Sequence, residues 1–205
     1  VRKNALAAPG APAFRSADGA VTSYAELWGL AGALASALMR HTRGRGPVLV
    51  LGEKDARTVA AFLACLMSGH AFVPVDASLP AARVRDIAGQ IERPVLLSTC
   101  ALPDELRSAL AGCELLDADG LLREPMGEAP DRRVWVAGDE TQYVIFTSGS
   151  TGRPKGIEVS ADNVAAFMRW LVGFPVIRDG GRAFLDQAHY SFDLSEYELV
   201  GALAT

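Results

Sequence analysis

Residues 143–156 read Tyr-Val-Ile-Phe-Thr-Ser-Gly-Ser-Thr-Gly-Arg-Pro-Lys-Gly, an apolar run that leads into a loop rich in glycine and hydroxyl groups. A short apolar run bounded by turn residues is typical of a buried strand. Glycines let a backbone approach a ligand closely with its N–H groups exposed. Ser148, Ser150 and Thr151 add hydroxyl donors, and Lys155 adds a compact positive charge. The composition therefore predicts a strand followed by a loop that binds a polyphosphate.

The spacing within this loop separates it from two other phosphate-binding patterns. It lacks the GxxxxGK(S/T) spacing of the Walker loop and the GxGxxG spacing of the dinucleotide fingerprint. A stretch rich in serine and glycine can also be a plain flexible connector. The position directly after a strand, the dense hydroxyl groups and the Pro154-Lys155-Gly156 end favour the binding interpretation.

Strands and helices alternate along the rest of the chain. Strands are predicted at 48–52, 71–76, 94–98, 114–116, 141–147 and 183–186, with a β-like stretch at 157–159. Helices are predicted at 22–40, 56–68, 80–91, 103–111 and 161–172, and from Ser195 onward. This alternation predicts an α/β fold, a parallel sheet flanked by helices on both faces with right-handed crossovers. Residues 1–20 are expected to form a lead-in with little regular structure, and 117–140 a long connection with a short strand at 134–136.

The composition of the chain excludes several classes of function. Half of its 205 residues are hydrophobic, which excludes wholesale disorder. The net charge of -4 predicts neither a nucleic-acid partner nor binding to an anionic membrane. No apolar stretch reaches the roughly 18–20 residues that span a bilayer, so no membrane insertion is expected. The three cysteines lack metal-binding spacing and fit a reducing compartment, so we expect a cytoplasmic location and no metal ligand in this chain.

Residues 143–156 resemble the signature loop of the adenylate-forming (AMP-binding) superfamily. That superfamily includes acyl- and aryl-CoA ligases, luciferases and the amino-acid adenylation domains of nonribosomal peptide synthetases. Residues 21–27 are similar to its early TYxEL helix start, and residues 66–76, followed by Arg83, resemble its LKAGxAYVPLD core motif. Met67 stands where that motif usually has lysine. The resemblance implies the α/β fold of the N-terminal portion of the superfamily's large domain.

The resemblance also implies where ATP binds. The residues that would hold its β- and γ-phosphates are Thr147, Ser148, Gly149, Ser150, Thr151, Gly152 and Lys155. A catalytic role carries over to Thr147 and Lys155. The superfamily's Mg²⁺-binding Glu and catalytic Lys belong to later motifs, so the Mg²⁺ ligand is expected outside this chain. Residues 1–205 are thus expected to be the N-terminal part of an adenylation domain, with the C-terminal remainder and the small lid domain absent.

A second motif, Phe192-Asp193-Leu194-Ser195, indicates the branch of the superfamily. Amino-acid adenylation domains have FDxS here, and their Asp binds the α-ammonium group of the substrate. A carboxylate beside an ammonium group forms a strong charge-assisted hydrogen bond where water is excluded. For an isolated Asp, a helix N-cap or turn role would be the ordinary interpretation. The surrounding motif instead favours substrate binding by Asp193.

The same resemblance indicates the size of the substrate's side chain. Family alignment places Leu194 and Tyr197 along the side-chain pocket, and their bulk favours a small amino acid. The pattern of residues 157–163, 170, 174–176 and 184–195 is most similar to that of the D-alanine–carrier protein ligases. His189 is expected to have a structural role at least as readily as a ligand contact. Glu196 and Glu198 are expected on a solvated helix face.

The implied function is the ATP-dependent activation of an amino acid as aminoacyl-AMP. The acyl group would then be transferred to the phosphopantetheine thiol of a carrier protein. Since most of the superfamily's later motifs lie outside residues 1–205, this chain alone is expected to be inactive. Two alternatives stay open: a fragment of an acyl- or aryl-CoA ligase, and a truncated, non-catalytic module that binds a carrier protein. The absence of an ammonium group in acyl and aryl substrates makes a buried Asp unfavourable in the first alternative.

Overall fold

The computed structural model describes residues 1–125, 127–148, 153–179 and 183–204. The helices are α1 (Arg2–Ala7), α2 (Tyr24–His41), α3 (Ala56–Met67), α4 (Ala81–Ala88), α5 (Asp104–Ala109), α6 (Ala118–Arg123), α7 (Ala161–Leu171), α8 (Pro175–Asp179) and α9 (Leu194–Ala204). The strands are β1 (Pro12–Arg15), β2 (Val21–Ser23), β3 (Val48–Leu51), β4 (Phe72–Val75), β5 (Val95–Ser98), β6 (Glu114–Asp117), β7 (Thr141–Ser148) and β8 (Pro154–Ser160). Every helix in these ranges is too short or too polar to cross a membrane.

Six strands form the central sheet in the order β6-β5-β3-β4-β7-β8. β3 pairs in parallel with β4 and β5, and β6 and β7 extend the parallel part on either side. The predicted α/β fold with a parallel sheet is confirmed. β8 adds an antiparallel edge strand that the alternation did not predict. It follows β7 after a short connection, and only antiparallel neighbours can be joined so closely.

Different helices cover the two faces of the sheet. In β3, Val48 and Val50 enter one core, while Leu49 and Leu51 enter the other, because successive side chains of a strand point to opposite faces. Residues of α2, α3 and α6 line the first core, and residues of α4 and α5 line the second. Burial on both faces explains why this strand has a continuous apolar sequence.

A capping box sets the start of α2, close to the predicted position. Ser23 Oγ accepts a hydrogen bond from the Glu26 N–H (3.2 Å), and Glu26 Oε2 accepts one from the Ser23 N–H (2.7 Å). The Ser23 hydroxyl also donates to Glu26 Oε2 (2.7 Å), and the bonds that this carboxylate accepts, from the Ser23 backbone first and then from the hydroxyl, lower the pKa of Glu26. Because a capping box pairs donors that the first turn of a helix leaves free, a local pattern suffices to predict this boundary.

Three local predictions are wrong in the first two-thirds of the chain. The long connection expected at 117–140 contains helix α6 (Ala118–Arg123). Residues 1–20 contain α1 and β1, and β1 pairs antiparallel with β2. Residues 134–136 form no strand, since a 3₁₀ turn covers Arg132–Val134. The Val136 N–H donates to the Leu66 carbonyl (2.9 Å), and the ring of Trp135 lies edge-on to that of Trp28, with centroids 5.8 Å apart. This segment is therefore held by separate long-range contacts instead of a strand ladder.

Another prediction is wrong near the end of the chain. Residues 183–187 form no strand. The Asp186 carboxylate pairs with Lys54 and accepts a hydrogen bond from the Tyr190 hydroxyl (2.6 Å). Side-chain contacts, which an apolar pattern cannot reveal, fix this segment in place of sheet pairing.

Two glycines with nearly the same backbone conformation allow a test of packing at the end of α3. Gly69 has φ +82°, and a Cβ there would lie 2.7 Å from the Val134 carbonyl oxygen. Gly44 has φ +81°, and nothing lies within 4 Å of a Cβ there. We expect Gly44→Ala to cost about 1 kcal/mol of folding free energy through backbone strain alone. We expect Gly69→Ala to cost about 2 kcal/mol more, because the methyl group also overlaps its neighbours. Urea unfolding of both variants measures this difference, and equal losses would show that the contact with Val134 is unimportant.

Candidate functional site

The carboxyl ends of the parallel strands meet at one edge of the sheet, where ligands commonly bind in folds of this kind. β3 ends at Leu51, β4 ends at Val75 and β7 ends at Ser148. Asp76 directly follows β4 and is buried. Because β8 runs antiparallel to β7, its first residues return to the same edge. This edge therefore collects polar residues from distant parts of the sequence.

The predicted phosphate-binding loop joins β7 to β8. Thr147 is paired with Lys155 and Ser148 with Pro154 across the two strands. The Thr147 hydroxyl makes a long hydrogen bond of 3.5 Å to the Lys155 carbonyl oxygen. Thr147, Ser148 and Lys155 are all exposed. Gly149, Ser150, Thr151 and Gly152 lie outside the described residues, so their predicted role stays a prediction.

Helix α4 holds both strands at the base of this loop. Arg83 donates to the Phe146 carbonyl oxygen of β7 (3.1 Å), and Gln90, just after the helix, donates to the Pro154 carbonyl oxygen of β8 (3.0 Å). Arg83 belongs to the sequence motif quoted above, whereas nothing in the sequence pointed to Gln90. Both side chains bond to backbone, so they fix where the loop begins and ends.

A cavity of about 550 Å³ opens beside the loop. Its walls are largely apolar and include side chains of Leu79, Ile87, Ile145 and Ile157. Its polar lining residues are Arg83, Tyr143, Thr147, Ser148, Ser191 and Asp193. The structure therefore brings two separately predicted features into one cavity, the start of the predicted phosphate loop and the Asp that is predicted to bind substrate. Apolar walls with a few polar groups are typical of small-molecule sites.

Asp193 lies immediately before α9, and its side chain is exposed towards this cavity. Its carbonyl oxygen accepts a hydrogen bond from the Glu196 N–H (3.0 Å). Its carboxylate has no hydrogen-bond or ion-pair partner in the described part of the chain. The alternative interpretation of Asp193 as a capping carboxylate is therefore not supported, and the charge is free to meet a ligand.

The two other predicted substrate residues lie elsewhere. Leu194 is 62% exposed and Tyr197 is 38% exposed, and neither lines the cavity. The Tyr197 ring instead faces Phe184, with centroids 5.9 Å apart. The described residues thus do not bring Leu194 and Tyr197 to Asp193's cavity, and their role in a side-chain pocket stays a prediction.

The expectation that Glu196 and Glu198 form a solvated face is wrong. Glu198 Oε2 accepts hydrogen bonds from the backbone N–H groups of Gln187 (2.8 Å) and Ala188 (3.0 Å). Glu196 is buried, and its Oε2 has no hydrogen-bond partner among the described residues. Burial raises the pKa of Glu196 to about 8. Burial, and then the neighbouring Glu196 and Asp193 charges, also raises the pKa of Tyr143.

The buried Glu196 carboxyl predicts a pH-dependent stability. The folded protein holds the proton up to about pH 8, whereas the unfolded chain releases it near pH 4.5. The contribution of this group is thus complete below pH 4.5 and is lost progressively as the pH rises towards 8. We expect the free energy of unfolding of the wild type to fall by about 2–4 kcal/mol between pH 5 and pH 8 because of this group, and we expect Glu196→Gln to abolish that fall. Urea unfolding across this range measures it, with exposed Glu105→Gln as the control. An unchanged pH slope in Glu196→Gln would contradict the assignment.

Groups of three or more His, Cys, Asp or Glu side chains that could hold a metal ion do not occur in the described ranges.

Comparisons with known proteins place this site in context. A family model described as AMP-binding enzyme matches residues 1–205. A D-alanine–D-alanyl carrier protein ligase of Bacillus velezensis is 38% identical over 211 residues, which cover 100% of this chain and 40% of that protein. The corresponding ligase of Bacillus licheniformis is 35% identical and covers 99% and 40%. The chain thus spans about 40% of the length of these curated relatives.

Solved structures have the same fold. The nonribosomal peptide synthetase FmoA3, in a form with bound α-methyl-L-serine-AMP, matches with a TM-score of 0.81 and 28% identity, covering 98% of this chain and 22% of that one. The o-succinylbenzoate CoA synthetase of Bacillus subtilis, bound to its acyl-adenylate, matches with a TM-score of 0.75 and 20% identity, covering 98% and 53%. The latter likeness concerns the fold alone. Together they confirm the predicted α/β architecture.

Proposed function

Because the chain belongs to the AMP-binding enzyme family, we propose that it forms part of an ATP-dependent ligase that activates an amino acid. The amino-acid carboxylate attacks the α-phosphorus of ATP, which gives aminoacyl-AMP and releases pyrophosphate. The phosphopantetheine thiol of a carrier protein then attacks the acyl carbonyl and releases AMP. The carboxylate is already ionised at neutral pH, so the first step needs no general base from the chain.

One observation carries this proposal. Thr147 and Ser148, at the start of the phosphate loop, line the same cavity as Asp193, whose carboxylate has no partner in the described ranges. A free carboxylate at the rim of a largely apolar cavity attracts a cation, and the α-ammonium group of an amino acid supplies one. An acid without an amino group would leave this charge unpaired, which is unfavourable once the site is closed to water.

The remaining roles follow from chemistry at the loop. We assign the β- and γ-phosphates to the hydroxyl and N–H groups of the 147–152 loop and to the positive charge of Lys155. Positioning and charge stabilisation are the main contributions that such groups make to phosphoryl chemistry. Mg²⁺ neutralises phosphate charge when it accompanies ATP, and we assign none of its ligands to this chain.

A small amino acid is the proposed substrate. The relatives at 38% and 35% identity carry the name of D-alanine ligases, and FmoA3 was solved with α-methyl-L-serine-AMP. Both substrates have short side chains. Leu194 and Tyr197 remain candidates for the side-chain wall, provided that further polypeptide encloses their exposed faces. ATP and carrier proteins for this chemistry point to a cytoplasmic location.

We further propose that residues 1–205 are the N-terminal part of an adenylation domain and are inactive alone. The chain spans about 40% of the relatives' length, which leaves ample polypeptide for the remaining ATP contacts and a lid. In this view a longer protein completes the site, and the lone chain can bind ligands only weakly.

Amino-acid-dependent ATP–pyrophosphate exchange by the full-length protein tests the proposed function. The panel contains small D- and L-amino acids, a fatty acid and an aryl acid, and residues 1–205 alone are assayed in parallel. We expect exchange with a small amino acid, none with the other acids and none from residues 1–205. Exchange only with fatty or aryl acids would favour an acyl- or aryl-CoA ligase. Carrier-protein binding without exchange would favour a non-catalytic module.

A further inference from the structure

The segment that precedes Asp193 contacts residues after β3, in α3, after β4 and in α9. Tyr190 is its deepest point, 4% exposed within the first core. Its ring lies edge-on to Phe62, with centroids 5.1 Å apart. Its hydroxyl donates to Asp186 Oδ2 (2.6 Å). The buried ring therefore anchors this segment against Phe62 of α3.

Lys54 secures the beginning of the segment. It follows β3, at the same sheet edge as the cavity. Its ammonium group pairs with Asp186 and lies 3.9 Å from the centre of the Tyr190 ring. Together with the bonds from Gln187 and Ala188 to Glu198, these contacts engage most of residues 186–190.

Asp76 secures the end of the segment nearest to the cavity. It follows β4 directly, and its side chain is 12% exposed. Oδ1 lies 3.3 Å from His189 Nδ1, and Oδ2 accepts from the Ser191 N–H at 3.3 Å. Both carboxylate oxygens are therefore engaged with the segment that leads to Asp193. Ser191 itself lines the cavity, two residues before Asp193.

Two hydrogen bonds within residues 189–195 hold the backbone on both sides of Asp193. The Phe192 N–H donates to the His189 carbonyl (2.9 Å), and the Ser195 hydroxyl donates to the Phe192 carbonyl (2.7 Å). Asp76 and Asp186 are each held by partners in this way, whereas the carboxylate of Asp193 has none in the described residues. A well-placed charge needs neighbours that fix its backbone without neutralising it.

We propose that Asp76 is a positioning residue for amino-acid binding: by holding His189 and Ser191, it sets the place of the Asp193 carboxylate at the rim of the cavity. This inference rests on the proposed function, in which Asp193 binds the substrate ammonium group. The contact with Asp76 gives His189 a structural role, one of the two roles that the sequence left open.

The test uses pyrophosphate exchange by the full-length protein with separate titrations of amino acid and ATP. Asp76→Ala removes both bonds, whereas Asp76→Asn keeps an acceptor for the Ser191 N–H. We expect Asp76→Ala to raise the KM for the amino acid about 10-fold and Asp76→Asn about 3-fold, with the KM for ATP unchanged. Ser98→Ala is the matched control, because Ser98 is a buried polar residue at the same edge, in β5, that bonds to Cys100 instead. It should change neither KM.

A double-mutant cycle separates positioning from direct contact. If Asp76 acts through Asp193, adding Asp76→Ala to Asp193→Asn should raise the amino-acid KM little further. Additive effects would mean that Asp76 meets the substrate itself and would overturn the proposal, as would equal rises in both KM values. If Asp193→Asn raises the amino-acid KM and Asp76→Ala does not, the positioning role fails while the proposed function stands. If Asp193→Asn has no effect, the proposed function fails and this inference with it.

Discussion

Asp193→Asn should lower kcat/KM for the amino acid by about 100-fold in the full-length protein, which corresponds to about 3 kcal/mol. Asparagine keeps the shape and one acceptor oxygen but lacks the charge that attracts an ammonium group. The Asp193 carboxylate has no partner among the described residues, so its replacement removes no folding contact. The loss should therefore occur as a higher KM for the amino acid, with the KM for ATP and the melting temperature nearly unchanged. Exchange assays and thermal unfolding measure these quantities.

Asp162→Asn is a suitable control for this change. Asp162 is an exposed carboxylate in the first turn of α7, so it also lies at a helix start, but it does not line the cavity. It should leave exchange unchanged. A normal amino-acid KM in Asp193→Asn, or the same loss in Asp162→Asn, would contradict an ammonium contact at Asp193.

Lys155→Met should raise the KM for ATP and lower the exchange rate, with a combined loss in kcat/KM for ATP of about 30- to 100-fold. The Lys155 side chain is exposed beside Thr147 at the end of the phosphate loop. Methionine keeps roughly the length of the side chain but removes its positive charge. Contacts with phosphate should therefore weaken while β8 stays intact. Titration of ATP at saturating amino acid measures the effect.

Lys3→Met, in the exposed α1 helix, provides the control for removal of one positive charge. It should not change the KM for ATP. If Lys155→Met changes only the amino-acid KM, or changes nothing, the assignment of Lys155 to the phosphates is wrong.

Local sequence patterns were sufficient for the elements that are buried on both faces or closed by local caps. β3 was predicted because the sheet interior demands a continuous apolar run, and α2 because Ser23 and Glu26 cap it within one turn. The prediction at 134–136 was wrong because the apolar residues Val-Trp-Val are held by contacts with Trp28 and Leu66 and not by a strand ladder. Burial of this kind depends on partners that only the folded chain brings near.

At the site, too, residues in local motifs could be predicted, whereas residues that meet only in the folded chain could not. Thr147, Ser148 and Asp193 stand in local motifs, and the structure places all three along one cavity. The residues that hold the Asp193 segment could not be predicted in this way. Asp76 meets His189 across 113 positions of sequence, and Lys54 meets Asp186 across 132. For Glu196, the sequence Glu-Tyr-Glu looked solvated, yet the folded chain buries the first carboxyl near Tyr143 of β7.

The most direct test of amino-acid activation at this site compares two acids that differ only in the amino group. Exchange by the full-length protein is measured with the preferred small amino acid and with the same carboxylic acid lacking its amino group, in wild type and in Asp193→Asn. We expect a preference for the amino acid of about 100-fold or more in wild type, which falls to nearly none in Asp193→Asn. Equal exchange with both acids in wild type, or an unchanged preference in Asp193→Asn, would contradict the ammonium contact on which the proposed function depends.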